Sequence, residues 1–169
     1  VITIGKFLSS KNKRKIAIIG GSKISTKINL INNLLKNVNA IVIGGAMANT
    51  FLLAQGRKIG KSLNEKSMVK IAKKIISNAS KNKCKIILPV DAIVASNLRE
   101  GGEFSEYSIE NIPNDGLILD IGKKSIAIID KEISKTKEVL WCGPLGLFEQ
   151  SPFHVGTASV AKTLSKMTK

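Results

Sequence analysis

Aromatic residues make up only 4% of the 169 residues: one Trp, one Tyr and five Phe. Stacking platforms for bases are scarce, which weighs against a dedicated single-strand nucleic-acid binder. Histidine occurs once, as His154, so neither a histidine-based metal centre nor a His-dependent nucleophilic triad can be assembled. The two cysteines, Cys84 and Cys142, lie far apart and form no CxxC pair. One disulfide is open to them, but a reduced compartment fits the pattern better. No apolar run approaches the roughly 18 residues of a membrane span, and residues 1–15 lack the hydrophobic core of a signal peptide. A cytoplasmic location is therefore expected. The missing initiator Met raises the expectation that the chain is cut from something longer.

Acidic residues are also few: 12 against 27 basic ones, a formal net charge of +15. Such a charge suits a polyanion partner. Yet only Arg14, Arg57 and Arg99 are arginine, and the lysines are scattered along the chain rather than gathered in one stripe. Together with heavy Ile and Asn usage this reads as compositional drift, so nucleic acid is a disfavoured partner that rests on charge alone.

The remaining composition is that of one soluble domain with a real core, 43% hydrophobic at a mean hydropathy of +0.10. Short apolar runs alternate with longer amphipathic ones. Strands are expected at 15–19, 40–43, 85–88, 92–95, 117–121 and 139–141. Helices are expected at 25–35, with Ser25 as N-cap, and at 46–53, 64–80, 123–135 and 157–167. Residues 97–114 read as an irregular excursion, and no linker or internal repeat divides the chain. Alternating strands and helices predict a Rossmann-like, three-layer αβα fold whose mainly parallel sheet is covered on both faces.

In such folds ligands sit at the carboxyl ends of the strands. Three glycine-bearing loops follow strands here: 20–23, 44–46 and 143–146. Any one of them is explained by the need for glycine at a tight strand-to-helix turn. All three together, with Lys23 and Lys27 beside the first, favour a ligand site. Residues 20–27, Gly-Gly-Ser-Lys-Ile-Ser-Thr-Lys, combine close backbone approach with a helix start and two ammonium groups expected on one face of its first turn. That is a phosphate site in the making, though GxxxxGK[ST] is absent; two solvated surface lysines remain the plainer alternative. Residues 141–149, Trp-Cys-Gly-Pro-Leu-Gly-Leu-Phe-Glu, end a strand and carry a carboxylate able to take a ribose hydroxyl pair. For Glu149 the plainer role is capping or solvation, for Trp141 core packing. Met47 and Met68 read as core, Cys84 as buried, and His154 as a surface residue near a helix start.

The motifs GGSKISTK, IGGAMANTFL, GKSL, LPVD, LDIG and WCGPLGLFE, in this order and spacing, closely resemble the carboxyl-terminal, nucleotide-binding domain of the phosphoglycerate kinases. The resemblance runs from about Lys15 to the C-terminus, leaving 1–14 as an interdomain remnant and 15–169 as a partial nucleotide-binding domain, incomplete at its C-terminal end. It implies reversible phosphoryl transfer between 1,3-bisphosphoglycerate and ADP, giving 3-phosphoglycerate and ATP in glycolysis, with magnesium and mostly monomeric enzymes. It implies that Lys23 touches the transferring phosphoryl group and that Lys27 holds the nucleotide phosphates. Gly45 and Ala46 would lie against the adenine, Gly143 and Leu145 would wall the pocket, and Glu149 would hold the ribose. Asp91, in LPVD, would be near the site without a firm role. The family's magnesium-binding Asp is expected beyond Lys169, and the phosphoglycerate site in an amino-terminal domain that this sequence does not contain.

Three positions depart from the family pattern. Cys142 stands where Asn is usual, Ala46 where a third glycine is common, and Ile118 where many members have glycine. A thiol offers the nucleotide little hydrogen bonding, and a methyl at Ala46 narrows the adenine slot. The expectation for these residues alone is weak nucleotide binding without turnover; the alternative is a non-catalytic relic of the enzyme.

Overall fold

The structure, a computed structural model, describes residues 4–12, 14–98 and 102–167. Strands β1 (Lys15–Ile19), β2 (Ala40–Ile43) and β3 (Lys85–Ile87) join β7 (Glu138–Cys142) in a four-stranded parallel sheet of order β3-β2-β1-β7. The register pairs Ile16 with Ala40 on one side and with Val139 on the other. Every residue of β1 and β2 is buried, as apolar strands covered on two faces must be.

Alternation within those strands makes the layers. Ala17, Ile19, Ile41 and Ile43 point into a core shared with α2 (Ile28–Leu34), α3 (Ala46–Ala54) and α4 (Val69–Lys81). Ile16, Ile18, Ala40 and Val42 point the other way, against α5 (Lys123–Ile133) and α6 (Val155–Met167). Ile16, Ile18, Ile19, Ile41 and Ile43 are all fully buried, each stabilising the sheet by about 1.5–3 kcal/mol. The fold is the three-layer α/β arrangement that the alternation predicts. A short α1 (Ile4–Ser9) buries Phe7 in the first core, and the Lys15 ammonium donates to the carbonyls of Phe7 and Ser10 at 2.7 Å each.

The chain departs from one continuous parallel sheet in its middle third. Strands β4 (Asp91–Ala95), β5 (Phe104–Ser108) and β6 (Leu117–Ile121) form a separate antiparallel sheet of order β5-β4-β6. It packs through Ala92 and Val94 against Leu52 and Ile59. The expected strands at 92–95 and 117–121 are present, but they pair with each other. The expected excursion at 97–114 contains β5, a mostly exposed edge strand whose sequence FSEYS carries no apolar alternation for a pattern to detect.

The first helix differs too. α2 begins at Ile28 rather than 25, and Lys27 precedes it without a side-chain cap. Ser25 is not the N-cap. Its hydroxyl donates to Glu65 Oε1 at 2.6 Å, and its backbone N–H donates to Glu65 Oε2 at 3.1 Å. Lys23 thus sits in the loop, not on a helical turn shared with Lys27.

Candidate functional site

The three glycine loops meet at the carboxyl edge of the parallel sheet and are latched by their own backbones. Gly20 N–H donates to Cys142 O at 2.9 Å, Gly21 N–H to Pro144 O at 3.1 Å, and Gly45 N–H to Leu145 O at 2.8 Å. Such contact leaves no room for a side chain. A Cβ at Gly20 would lie 1.8 Å from Pro144 O. Gly45 adopts φ +66°, and a Cβ there would lie 2.6 Å from Gly21 O.

Beside this latch opens a cavity of about 420 Å³. Gly45, Ala46, Leu145 and Glu149, all singled out from sequence, line it, and so does Ile118. Its far wall comes from β6 and its floor from α3, so the second sheet closes a space that the first one opens. Leu145 is 1% exposed and Glu149 is exposed at the surface, consistent with a wall and a rim. Lys23, Lys27 and Gly143 are not among the lining residues, although their neighbours Ser22 and Pro144 are. Lys27 donates its ammonium to the Cys142 sulfur at 2.9 Å, which ties the first glycine loop to the end of β7. Trp141, expected in the core, is half-buried and donates its indole N–H to Gly143 O at 2.7 Å.

Carboxylates that sequence reasoning left without a role organise the surroundings. Burial pushes the Glu65 carboxyl up, but the Ser25 hydroxyl, the Ser25 and Ile24 N–H groups and the Lys23 charge together hold it below its usual range. It fixes the loop carrying Lys23. Asp91 is 3% exposed, and its two oxygens accept from the N–H groups of Lys124 and Ser125 at 2.8 Å each, capping α5 from another strand. Burial raises its pKa, but the Ser125 hydroxyl, those two N–H groups and Glu106 outweigh this and leave it lowered. Asp120, 2% exposed, also lines the cavity. It accepts from Gly156 N–H at 2.7 Å, at the start of α6, and from Ile121 N–H at 2.9 Å. Burial pushes its carboxyl up to about 6, against those two bonds and the nearby His154. All three acids act on residues distant in sequence, so no local spacing announces them.

Comparison with known proteins decides the family. The phosphoglycerate kinase family model matches residues 1–169. The chain belongs to the phosphoglycerate kinase family. It is 48% identical over 164 residues to a phosphoglycerate kinase of Methylorubrum extorquens, covering 97% of this chain and 41% of that one. To the phosphoglycerate kinase of Bradyrhizobium diazoefficiens it is 49% identical over 164 residues, with the same coverage of 97% and 41%. The fold matches the structure of phosphoglycerate kinase from Coxiella burnetii at a TM-score of 0.93 and 37% identity, over 96% of this chain and 42% of that one. The phosphoglycerate kinase from Pyrococcus horikoshii gives 0.80 at 28% identity, over 95% and 41%. The chain thus spans about two fifths of the length of the relatives it matches. In this chain the glycine loops form backbone latches, and Ala46 and Ile118 stand in the cavity wall.

Proposed function

We propose that this chain supplies the nucleotide-binding part of a cytoplasmic phosphoglycerate kinase, which moves a phosphoryl group between 1,3-bisphosphoglycerate and ADP to give 3-phosphoglycerate and ATP. The observation that carries this reading is the cavity built by three latched glycine loops at the carboxyl ends of the strands. In this reading residues 15–169 are part of the nucleotide domain and 1–14 its connection to a phosphoglycerate-binding domain.

The nucleobase enters between Gly45–Ala46 and Leu145, and Glu149 at the rim accepts from the ribose hydroxyls. Phosphates lie toward the first glycine loop. There Lys27, released from Cys142, neutralises them, and Lys23 stabilises charge on the moving phosphoryl group. Phosphoryl transfer is mostly positioning and electrostatics, so a loop held by Glu65 and by the Gly20–Cys142 and Gly21–Pro144 latches suits the task. Magnesium, when bound with the nucleotide, supplies further charge neutralisation. Among the described residues no three His, Cys, Asp or Glu side chains converge, so they do not make a cage for it. The roles assigned here are those of the lysines, Glu149 and the loops alone.

Equilibrium titration with ADP tests the reading. The expected result is weak, saturable binding that Lys27→Ala diminishes, with no ATP formed in a coupled assay. Absence of ADP binding by the folded chain would overturn the assignment of the site. Substantial ATP formation would overturn the expectation that these residues alone do not turn over.

A further inference from the structure

We infer that Thr157 is a positioning residue for the nucleotide: its hydroxyl fixes the Pro144–Leu145 peptide, which joins the first glycine loop to the Leu145 wall. The inference rests on the reading that a nucleotide binds here. The Leu145 N–H donates to Thr157 Oγ1 at 3.0 Å, a buried bond between residues 12 apart. The carbonyl of that same peptide, Pro144 O, accepts from Gly21 N–H at 3.1 Å. One residue on, Leu145 O accepts from Gly45 N–H at 2.8 Å. The Leu145 side chain lies over Gly44, where an added Cβ would be 2.3 Å from its Cδ2. The Pro144–Leu145 peptide is thus held at its oxygen by the first glycine loop and at its nitrogen by α6. A peptide unit is planar, so its N–H and C=O turn together. Losing the bond at nitrogen frees the oxygen that Gly21 depends on.

α6 presents the hydroxyl from a fixed seat. Gly156 N–H donates to Asp120 Oδ2 at 2.7 Å, and a Cβ at Gly156 would lie 2.4 Å from Asp120 Oδ1, so the first turn of α6 is pressed onto β6. One turn on, Val160 is fully buried in the core with Ile16 and Ile18. The buried residues of α6 are Gly156, Thr157 and Val160, and only Thr157 among them has a polar side chain. Its β-branch restricts χ1 in a helix, so the oxygen is aimed before any ligand arrives. Thr157 is not among the lining residues of the cavity, so it acts through Leu145 and Gly21 rather than on the ligand. A buried N–H that loses its acceptor is costly, and the peptide relieves the cost by turning toward another acceptor. Such a turn moves the Leu145 wall and loosens the loop that carries Lys23.

Thr157→Val keeps the side-chain shape and removes the hydroxyl, whereas Thr157→Ser keeps the hydroxyl. NMR titration measures the ADP affinity of each folded chain, and amide hydrogen exchange is recorded on the same samples. The expected result is about tenfold weaker ADP binding by Thr157→Val and an affinity within about twofold of wild type for Thr157→Ser. Exchange should quicken at the N–H groups of Leu145 and Gly21 in Thr157→Val and stay unchanged at Ile75 and Ala79 in α4. Thr157→Ala replaces Thr157→Val if that variant does not fold. Unchanged ADP affinity in a folded variant without the hydroxyl overturns the inference while leaving nucleotide binding in place. An equal loss in Thr157→Ser overturns the role of the hydroxyl. Exchange that quickens as much in α4 as at Leu145 marks a general loss of stability and overturns the positioning role. A wild-type chain that binds no ADP overturns the inference together with the function on which it rests.

Discussion

Asp120 gives the sharpest quantitative expectation. Its carboxylate is buried between β6 and the start of α6, with two backbone N–H donors and no cation in hydrogen-bond contact. Burial moves its pKa from 3.8 to about 6, a shift of roughly two units. The folded state therefore holds this proton over a pH range in which the unfolded chain has released it. The stabilisation is complete below the unfolded value and is lost as pH rises through about 6. At about 1.4 kcal/mol per unit, the whole effect is about 3 kcal/mol, of which about 2.4 kcal/mol is lost between pH 4 and pH 7.

Asp120→Asn removes the titration and leaves one of the two amides facing an NH₂ group. That second effect is a constant penalty of about 1–3 kcal/mol at every pH. The informative quantity is the wild-type stability minus that of Asp120→Asn, because titration of Glu65, Asp91 and Glu132 cancels in the difference. Urea unfolding followed through the emission of Trp141, the only tryptophan, measures it. The difference should shrink by about 2.4 kcal/mol from pH 4 to pH 7. Repeating the pair on a His154→Gln background removes a side chain that opposes the upward shift of Asp120. A difference independent of pH would refute the reasoning. A difference that grows with pH would show that the two amide bonds outweigh burial.

The latch and the thiols give two further tests. Gly20→Ala sets a methyl 1.8 Å from Pro144 O and should lower stability by about 3 kcal/mol while abolishing ADP binding; Gly21→Ala, at φ +117° with open space around it, should cost only about 1–2 kcal/mol in the same thermal melts. Brief alkylation should label Cys142 well before Cys84, which is 4% exposed with its thiol pushed up to about 11 by burial, and ADP should slow the labelling of Cys142; mass spectrometry of the two peptides reads both effects.

The layers of the fold were legible because burial on two faces leaves a plain mark. KIAII and AIVI have no polar residue beyond Lys15, and their odd and even positions supply the two cores. α4 was legible because Ala72, Ile75 and Ala79 recur at helical spacing among lysines. β5 was not, since an edge strand exposed over most of its length needs no apolar pattern. The start of α2 was misplaced because Ser25 looks like a cap in its own window, whereas its actual partner, Glu65, is 40 residues away. The glycine loops were legible for a local reason: each glycine marks a backbone that must approach something closely, and the latch shows that they approach one another.

What the sequence hid is how its few acids are used. In a chain with 12 acidic and 27 basic residues, each carboxylate has an excess of lysines to choose from. Yet among the described residues only three ion pairs form, and Glu132 is the acid in two of them. Glu65, Asp91 and Asp120 instead accept from backbone N–H groups beside the cavity or at the starts of α5 and α6. A buried or half-buried amide gains more from a fixed anion than a solvated ammonium does, because the ammonium already has water. The lysine excess is therefore largely a hydrated surface that charge counting overstates. The scarce acids carry the electrostatics that hold the loops in place. Removing a single acid at Glu65, Asp91 or Asp120 should disturb the cavity more than removing any surface lysine other than Lys23 and Lys27.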